Sequence, residues 1–212
     1  MSELTAALER LDEITRTLRV ECPWDREQDE RSIVPHTVEE AYELADAAHS
    51  GDDAKLLDEL GDVLFQVYFL ALLLEERGKG SLAEVAEHCR QKLIRRHPHV
   101  FGRSEAAGGG EGTSSLRAAE TAGDVVRNWD EIKREQEGRG EIFGPIPETL
   151  PATLYAKKVL RRASSAGFEW NEEGSTGGRL LAAVRDAVAA GDDPELTLRQ
   201  AADRFRDEVE RG

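Results

Sequence analysis

Cysteine is nearly absent from this 212-residue chain, which has only Cys22 and Cys89, far apart and in no metal-ligand spacing. That excludes a disulfide framework and a zinc–thiolate site, and it suits a reducing compartment; the expected location is the cytoplasm. Aromatic residues make up just 6% of the chain, and runs of β-branched residues are few, so little favours a sheet. No stretch approaches the roughly 18 to 20 unbroken apolar residues of a membrane-spanning helix. The opening MSELTAALERLDEITRTLR is a charged amphipathic pattern without the apolar core of a signal peptide, so no membrane partner is expected. Positive charge is short as well: 28 Lys and Arg against 43 Asp and Glu leave a formal charge of −15. Such a surface repels a phosphate backbone and argues against a nucleic-acid polymer as partner. It admits a small phosphorylated ligand, because divalent cations at an acidic site reverse the local field.

What remains is helix-forming material. Ala, Leu, Glu and Arg dominate, 33% of residues are charged, and the expected fold class is all-α. A first helix is predicted over residues 2–19 from the spacing of Leu4, Leu8, Leu11, Ile14 and Leu18, with CPWD at 22–25 as its break. A second runs from about Ser32 to His49 and ends at Gly51, a natural C-cap. Asp52 or Asp53 caps a third that continues to about Arg77, where Gly78 and Gly80 stop it. Ser81 and Glu84 have the form of a capping box for a fourth, ending near Arg96. The Gly-, Ser- and Glu-rich GRSEAAGGGEGTSS follows, then helices near 117–137, 152–166, 177–190 and 194–210, with the turn GPIPETLP at 144–151. This gives an N-terminal helical domain over 1–103, a flexible loop over 104–116 and a C-terminal helical region over 117–212. AAHSGDD at 47–53 is echoed by AVAAGDD at 187–193, which reads either as a degenerate second copy or as chance likeness of two Ala-rich helix ends. In that alignment Leu180, Ala183, Arg199 and Ala202 stand where the first copy has acidic residues.

Those acidic residues form two motifs, Glu39-Glu40-x-x-Glu43 on the second helix and Glu59-x-x-Asp62 on the third. Residues three apart share a helix face, so each pair can aim two carboxylates at one point. Two antiparallel helices joined by a short turn at 50–53 can bring the pairs together, as an oxygen-preferring cation requires. On the second helix Val34, Val38, Ala41, Ala45 and Ala48 make a narrow apolar stripe with Glu39, Glu40 and Glu43 roughly opposite, so a solvated acidic face is the plainer reading there. The third helix is different. After Asp62 it is apolar on every side, with Leu60, Leu64, Val67, Ala71 and Leu74 on one stripe and Phe65, Phe69 and Leu72 near the other. Such a helix is buried all round, inside a domain or between subunits. Asp62 falls near the Phe65 and Phe69 side, at the edge of packed structure, and a partly buried carboxylate needs a partner.

Lys92, Arg95 and Arg96 sit at spacing three and four on the fourth helix, followed by His97 and His99. They suit phosphate, and they equally suit the helix dipole. Trp24 and Trp129 are candidates for stacking on a base or for core packing, and Lys133 lies one turn after Trp129.

CPWDREQ, EEAYEL, ELGDVLFQV, KLIRRHPHVFG and NWDEIKREQ, in this order, with LPATLYAKKVLRRASSAGFEW at 150–170, resemble the MazG nucleoside triphosphate pyrophosphohydrolases from about residue 20 to 170. The resemblance implies a helical bundle whose catalytic core is shared between subunits of a homodimer or higher homo-oligomer. It implies Glu40, Glu43, Glu59 and Asp62 as ligands of Mg²⁺, with Mn²⁺ a substitute, and Glu39 as a further acidic residue beside the metals. Lys92, Arg95 or Arg96, Trp129 and Lys133 match positions that engage nucleotide. The implied reaction is hydrolysis of nucleoside triphosphates to monophosphate and pyrophosphate, a house-cleaning of the nucleotide pool. Glu39 or Glu43 would orient or deprotonate the attacking water. Longer members carry two acidic-motif domains in tandem; here only the first copy keeps the motif. Two other readings stand beside this one: a phosphoribosyl-ATP pyrophosphohydrolase, and a helical nucleotide-sensing or interaction module without turnover.

Overall fold

The computed structural model describes residues 2–101, 121, 142–170 and 174–212. Among them every regular element is an α-helix and there is no strand. In chain order these are α1 Glu3–Glu21, α2 Pro23–Glu27, α3 Glu30–Ser50, α4 Asp53–Glu76, α5 Leu82–Arg96, α6 Pro98–Phe101, α7 Ala152–Ser165, α8 Thr176–Ala190 and α9 Pro194–Arg211. They fall into two compact units, Met1–Lys92 and Leu93–Gly212. The loop expected at 104–116 and the helix expected at 117–137 lie outside the described residues.

The helix ends follow local chemistry. CPWD does end α1, but it forms a short helix of its own. Pro23 takes the first helical position, where a missing N–H removes no hydrogen bond. Asp29 then caps α3, accepting from the N–H groups of Arg31 and Ser32 at 2.9 Å each, while the Asp29 N–H donates to Ser32 Oγ at 2.9 Å. This reciprocal box starts α3 two residues ahead of the predicted Ser32. Gly51 ends α3 at φ 70°, a left-handed conformation that favours glycine. Asp52 at once caps α4 through the N–H groups of Ala54 and Lys55, at 3.0 and 3.2 Å. The two-residue turn folds α4 back antiparallel along α3.

In the first unit, Ile33 of α3 packs with Phe69 and Leu73 of α4, and Phe65 and Leu70 lie against this cluster. Burying a side chain such as Phe69, which is 0% exposed, contributes about 1.5–3 kcal/mol. Gln66 is buried in the same stretch, and an amide left unpaired there would cost about 1–3 kcal/mol. It accepts a hydrogen bond from Thr37 Oγ1 at 3.3 Å. α1 is fastened to the far end of α4 by two bidentate pairs: Arg16 donates to Glu75 at 2.8 and 3.1 Å, and Arg19 to Glu76 at 2.8 and 2.9 Å.

The expectation that α4 is buried all round does not hold within the single chain. Tyr68, Phe69, Ala71, Leu72 and Leu73 are buried, whereas Leu57, Leu60, Leu64 and Val67 are exposed. α3 shows the same division. Of its apolar stripe Val34, Val38, Ala41 and Ala48 are exposed and Ala45 is half-buried, and its other buried or half-buried positions include Ile33, Thr37, Glu40, Leu44 and Ala47.

In the second unit, Asp193 caps α9 through the N–H groups of Glu195 and Leu196, and its other carboxylate oxygen accepts from Lys157 Nζ of α7 at 2.6 Å. Thr153 adds a hydrogen bond to Glu195, and the Arg185 guanidinium lies 5.8 Å from the centre of the Trp170 ring. The sequence echo extends to the helix ends. Gly191, at φ 90°, ends α8 as Gly51 ends α3. Asp193 caps α9, one place later than the alignment puts it, because Pro194 occupies the first helical position. Leu180, Ala183, Arg199 and Ala202 are exposed.

Candidate metal centre

The turn at Gly51 and Asp52 sets the register of α3 against α4, and that register decides which acidic residues meet. Glu40 lies one helical turn past Thr37 on the side of α3 that faces α4. There Glu40, Glu43 and Glu59 each offer a carboxylate oxygen, all within 4.8 Å of one another. Glu59 is the least accessible of the three at 8% exposure. Burial pushes the Glu40 carboxyl above its ordinary range, and the charges of Asp62, Glu43, Glu59 and Glu39 push it further. Burial likewise raises Glu59; Glu43, Asp62 and Asp58 add to the rise, and the Lys55 ammonium offsets part of it. Carboxylates crowded in this way are held apart by mutual repulsion and by the cost of leaving water.

Two expectations change here. The sequence pattern puts Glu40 on a face that could pass for solvent, whereas in the fold it is half-buried against α4. Asp62 was placed at the edge of packed structure, yet the enclosed position belongs to Glu59 and Asp62 is exposed. The shorter Asp62 side chain stays at the rim, beside Gly61, on an open groove of about 620 Å³ lined also by Asp52, Lys55, Leu57 and Asp58. Its charge still acts on both Glu40 and Glu59, so it flanks the trio electrostatically.

Glu39 is not among the three that converge. It is exposed, with its carboxylate 3.7 Å from His36 Nδ1. Lys55 is the residue that sequence reasoning missed. It sits one turn before Glu59 on α4, and the i,i+4 spacing in KLLDE was the available signal. Lys92, Arg95 and Arg96 lie on the last turns of α5, as expected. His97 Nδ1 is 2.6 Å from the Leu93 carbonyl, one turn back at the end of α5. Trp24 is half-exposed and meets the His36 ring edge-on at 5.6 Å, so it is not a core residue. Trp129 and Lys133 lie outside the described residues.

The donor set fits a hard divalent cation. It is all oxygen, it is carried by two packed helices, and it holds more negative charge than its surroundings neutralise. Mg²⁺ and Mn²⁺ prefer such carboxylate sites, completing their shells with water or phosphate oxygens.

Residues 28–101, which include all four carboxylates, match the MazG nucleotide pyrophosphohydrolase domain. The chain is 38% identical over 156 residues to a nucleoside triphosphate pyrophosphohydrolase of Escherichia coli, covering 72% of this chain and 54% of that one. It thus spans about half the length of that relative. A nucleoside triphosphate pyrophosphohydrolase of Mycolicibacterium smegmatis is 33% identical over 199 residues, 91% of this chain and 55% of its own. The nucleoside triphosphate pyrophosphohydrolase/pyrophosphatase MazG of Thermotoga maritima is 32% identical over 200 residues, 92% of this chain and 72% of its own. With the acidic hairpin inside the matched domain and likeness over nearly its whole length, this chain belongs to the MazG family.

Proposed function

We propose that the chain hydrolyses nucleoside triphosphates, ribo- or deoxyribo-, to the monophosphate and pyrophosphate in a Mg²⁺-dependent reaction that clears unwanted nucleotides from the cytoplasmic pool. The observation that carries this reading is the meeting of Glu40, Glu43 and Glu59 within 4.8 Å. The names of the relatives supply the reaction class. Glu40, Glu43 and Glu59 would hold the cation, with Asp62 closing the site from the rim of the groove. When bound, Mg²⁺ would neutralise phosphate charge and acidify water at the site.

The protein's own groups do the rest. Glu43 is exposed enough to reach solvent while belonging to the trio, so of the two expected bases it is better placed than Glu39 to take a proton from the attacking water. Lys55 stands where it can meet a phosphate oxygen at the mouth of the groove. Lys92, Arg95 and Arg96 remain the proposed holders of the distal phosphates, with Lys133 as a further phosphate contact and Trp129 as the residue that stacks on the base.

The exposed stripes on α3 and α4 support a homo-oligomer. Val34 and Val38 on one helix and Leu60, Leu64 and Val67 on the other leave an apolar surface that a second copy of the hairpin would cover, placing a shared helical core beside the site.

The test is pyrophosphate release from a panel of NTPs and dNTPs, with and without Mg²⁺. Glu59→Gln and Asp62→Asn are expected to lose activity by a factor of at least about 10² while keeping wild-type helicity. Full activity in either variant would overturn the site. Selective turnover of phosphoribosyl-ATP would identify the other reaction, and tight nucleotide binding without turnover a sensing module.

A further inference from the structure

We propose that Thr37 and Gln66 are positioning residues, a polar pair that fixes the register at which α3 presents Glu40 and Glu43 to Glu59. This rests on the reading of that site as a metal centre.

The α3–α4 interface is layered. Towards the start of α3, Ile33 meets Phe69 and Leu73 in a purely apolar layer. One turn on, Thr37 Oγ1 donates to Gln66 Oε1 at 3.3 Å. The carboxylates follow one turn later, since Thr37 precedes Glu40 by three residues and Gln66 follows Asp62 by four. The polar pair therefore stands between the packed core and the charged cluster.

Its chemistry is out of keeping with its place. Gln66 is buried in a stretch of α4 that otherwise reads Phe65, Val67, Tyr68, Phe69, and an apolar residue of similar size would fill that space without needing a partner. Apolar contacts are non-directional and tolerate sliding, whereas a hydrogen bond holds only over a narrow range of distance and angle. The Thr37 hydroxyl also lies 3.4 Å from the Ile33 carbonyl, so its single hydrogen is shared between that acceptor on its own helix and Gln66 across the interface. One residue of slip moves a helix by about 1.5 Å, enough to spoil convergence on a cation whose ligands must sit near 2.0–2.1 Å. The two helices also carry carboxylates that repel one another, so the layer next to the cluster is where a directional tie resists their separation.

The test is Mn²⁺ uptake by metal-free protein, read from the free-ion electron paramagnetic resonance signal, beside urea unfolding of the same samples. Thr37→Val and Gln66→Leu are expected to bind Mn²⁺ about tenfold more weakly while still folded. Thr37→Ser, which keeps the hydroxyl, should bind as the wild type does. Leu73→Ala gives the contrast: it should unfold at lower urea yet bind Mn²⁺ normally below its transition. Wild-type affinity in both Thr37→Val and Gln66→Leu overturns the positioning role, and so does a tenfold loss in Leu73→Ala. Thr37→Val, with its near-isosteric side chain, carries the test if Gln66→Leu does not fold. A wild type that takes up no Mn²⁺ at all overturns the metal centre itself, a separate result.

Discussion

Arg19 on α1 holds its guanidinium 5.7 Å from the centre of the Phe69 ring on α4 while donating to the backbone carbonyls of Asp25 and Gln28 at 2.5 and 3.0 Å. One side chain thus ties three elements: its own helix, the core of α4, and the short helix that carries Trp24. Arg19→Ala is expected to destabilise the first unit by about 2 kcal/mol, because two carbonyls and the Glu76 carboxylate lose their donor together. Arg19→Lys should recover little, since an ammonium cannot serve the fork of acceptors. Urea melts give the magnitude, and amide exchange should quicken selectively over residues 22–28. Unchanged exchange there would contradict the tie.

The crowded carboxylates give a pH signature in metal-free protein. Folding raises the Glu40 and Glu59 carboxyls above their usual 4.5. A group raised in this way binds its proton more tightly in the folded state. Its contribution therefore favours the fold below about pH 4.5 and is lost as pH climbs through the raised value. In EDTA, Glu59→Gln should melt above the wild type at pH 7, and the gap should close as pH falls towards 4.5 and below. Added Mg²⁺ should reverse the order, stabilising the wild type by about 2.7 kcal/mol at a hundredfold excess over Kd and the variant by less. Equal melting of the two proteins at pH 7 in EDTA would refute the repulsion.

Gly61 offers a trade between stability and use of the groove. It has no left-handed φ, and a Cβ added there would meet nothing within 4 Å. Packing does not require glycine, which in mid-helix costs about 0.5–1 kcal/mol relative to alanine. Gly61→Ala should raise the free energy of unfolding by that margin while raising KM for the nucleotide, because the methyl enters the groove between Asp58 and Asp62. An unchanged KM would show that the groove wall does not meet substrate.

The proposed homo-oligomer is tested on the exposed stripes. Leu64→Glu, or Val38→Glu, should give a monomer by light scattering where the wild type gives a multiple of the chain mass. Neither residue faces the carboxylates, so Mn²⁺ uptake serves as a check that the hairpin stays folded. A wild type that is monomeric at micromolar concentration would remove the need for a partner copy.

Much of this was legible in the sequence because helix ends are local. Gly51, Asp52, Ser81 and the GPIPETLP turn are each read from a few neighbouring residues, and the structure uses them as expected. Asp29 is also a local signal, but the predicted helix starts at about Ser32; in the fold Ser32 is the other half of the box that Asp29 opens. What could not be read was which of two faces α3 turns to α4. A helical wheel ranks faces by greasiness and assigns Val34 and Val38 to the inside. The chain instead turns Ile33, Thr37 and Glu40 inward. The same blindness puts Asp62 at the edge of packed structure and leaves the burial of Glu59 unread, since neither periodicity nor spacing says how closely a facing helix approaches.

All four carboxylates lie between residues 40 and 62, within one αα-hairpin whose turn is two residues long. Assembly of the site thus needs no strand pairing and no contact between distant parts of the chain. Loop closure on this scale takes about 10–100 ns and helix formation about a microsecond, so the cluster can form early, ahead of slower docking of the remaining helices. Such a hairpin is also a portable unit. It can be copied or lost as a single segment, and the second unit has a helix-to-helix turn with a glycine end and an aspartate cap but no acidic residue at positions 180, 183, 199 and 202.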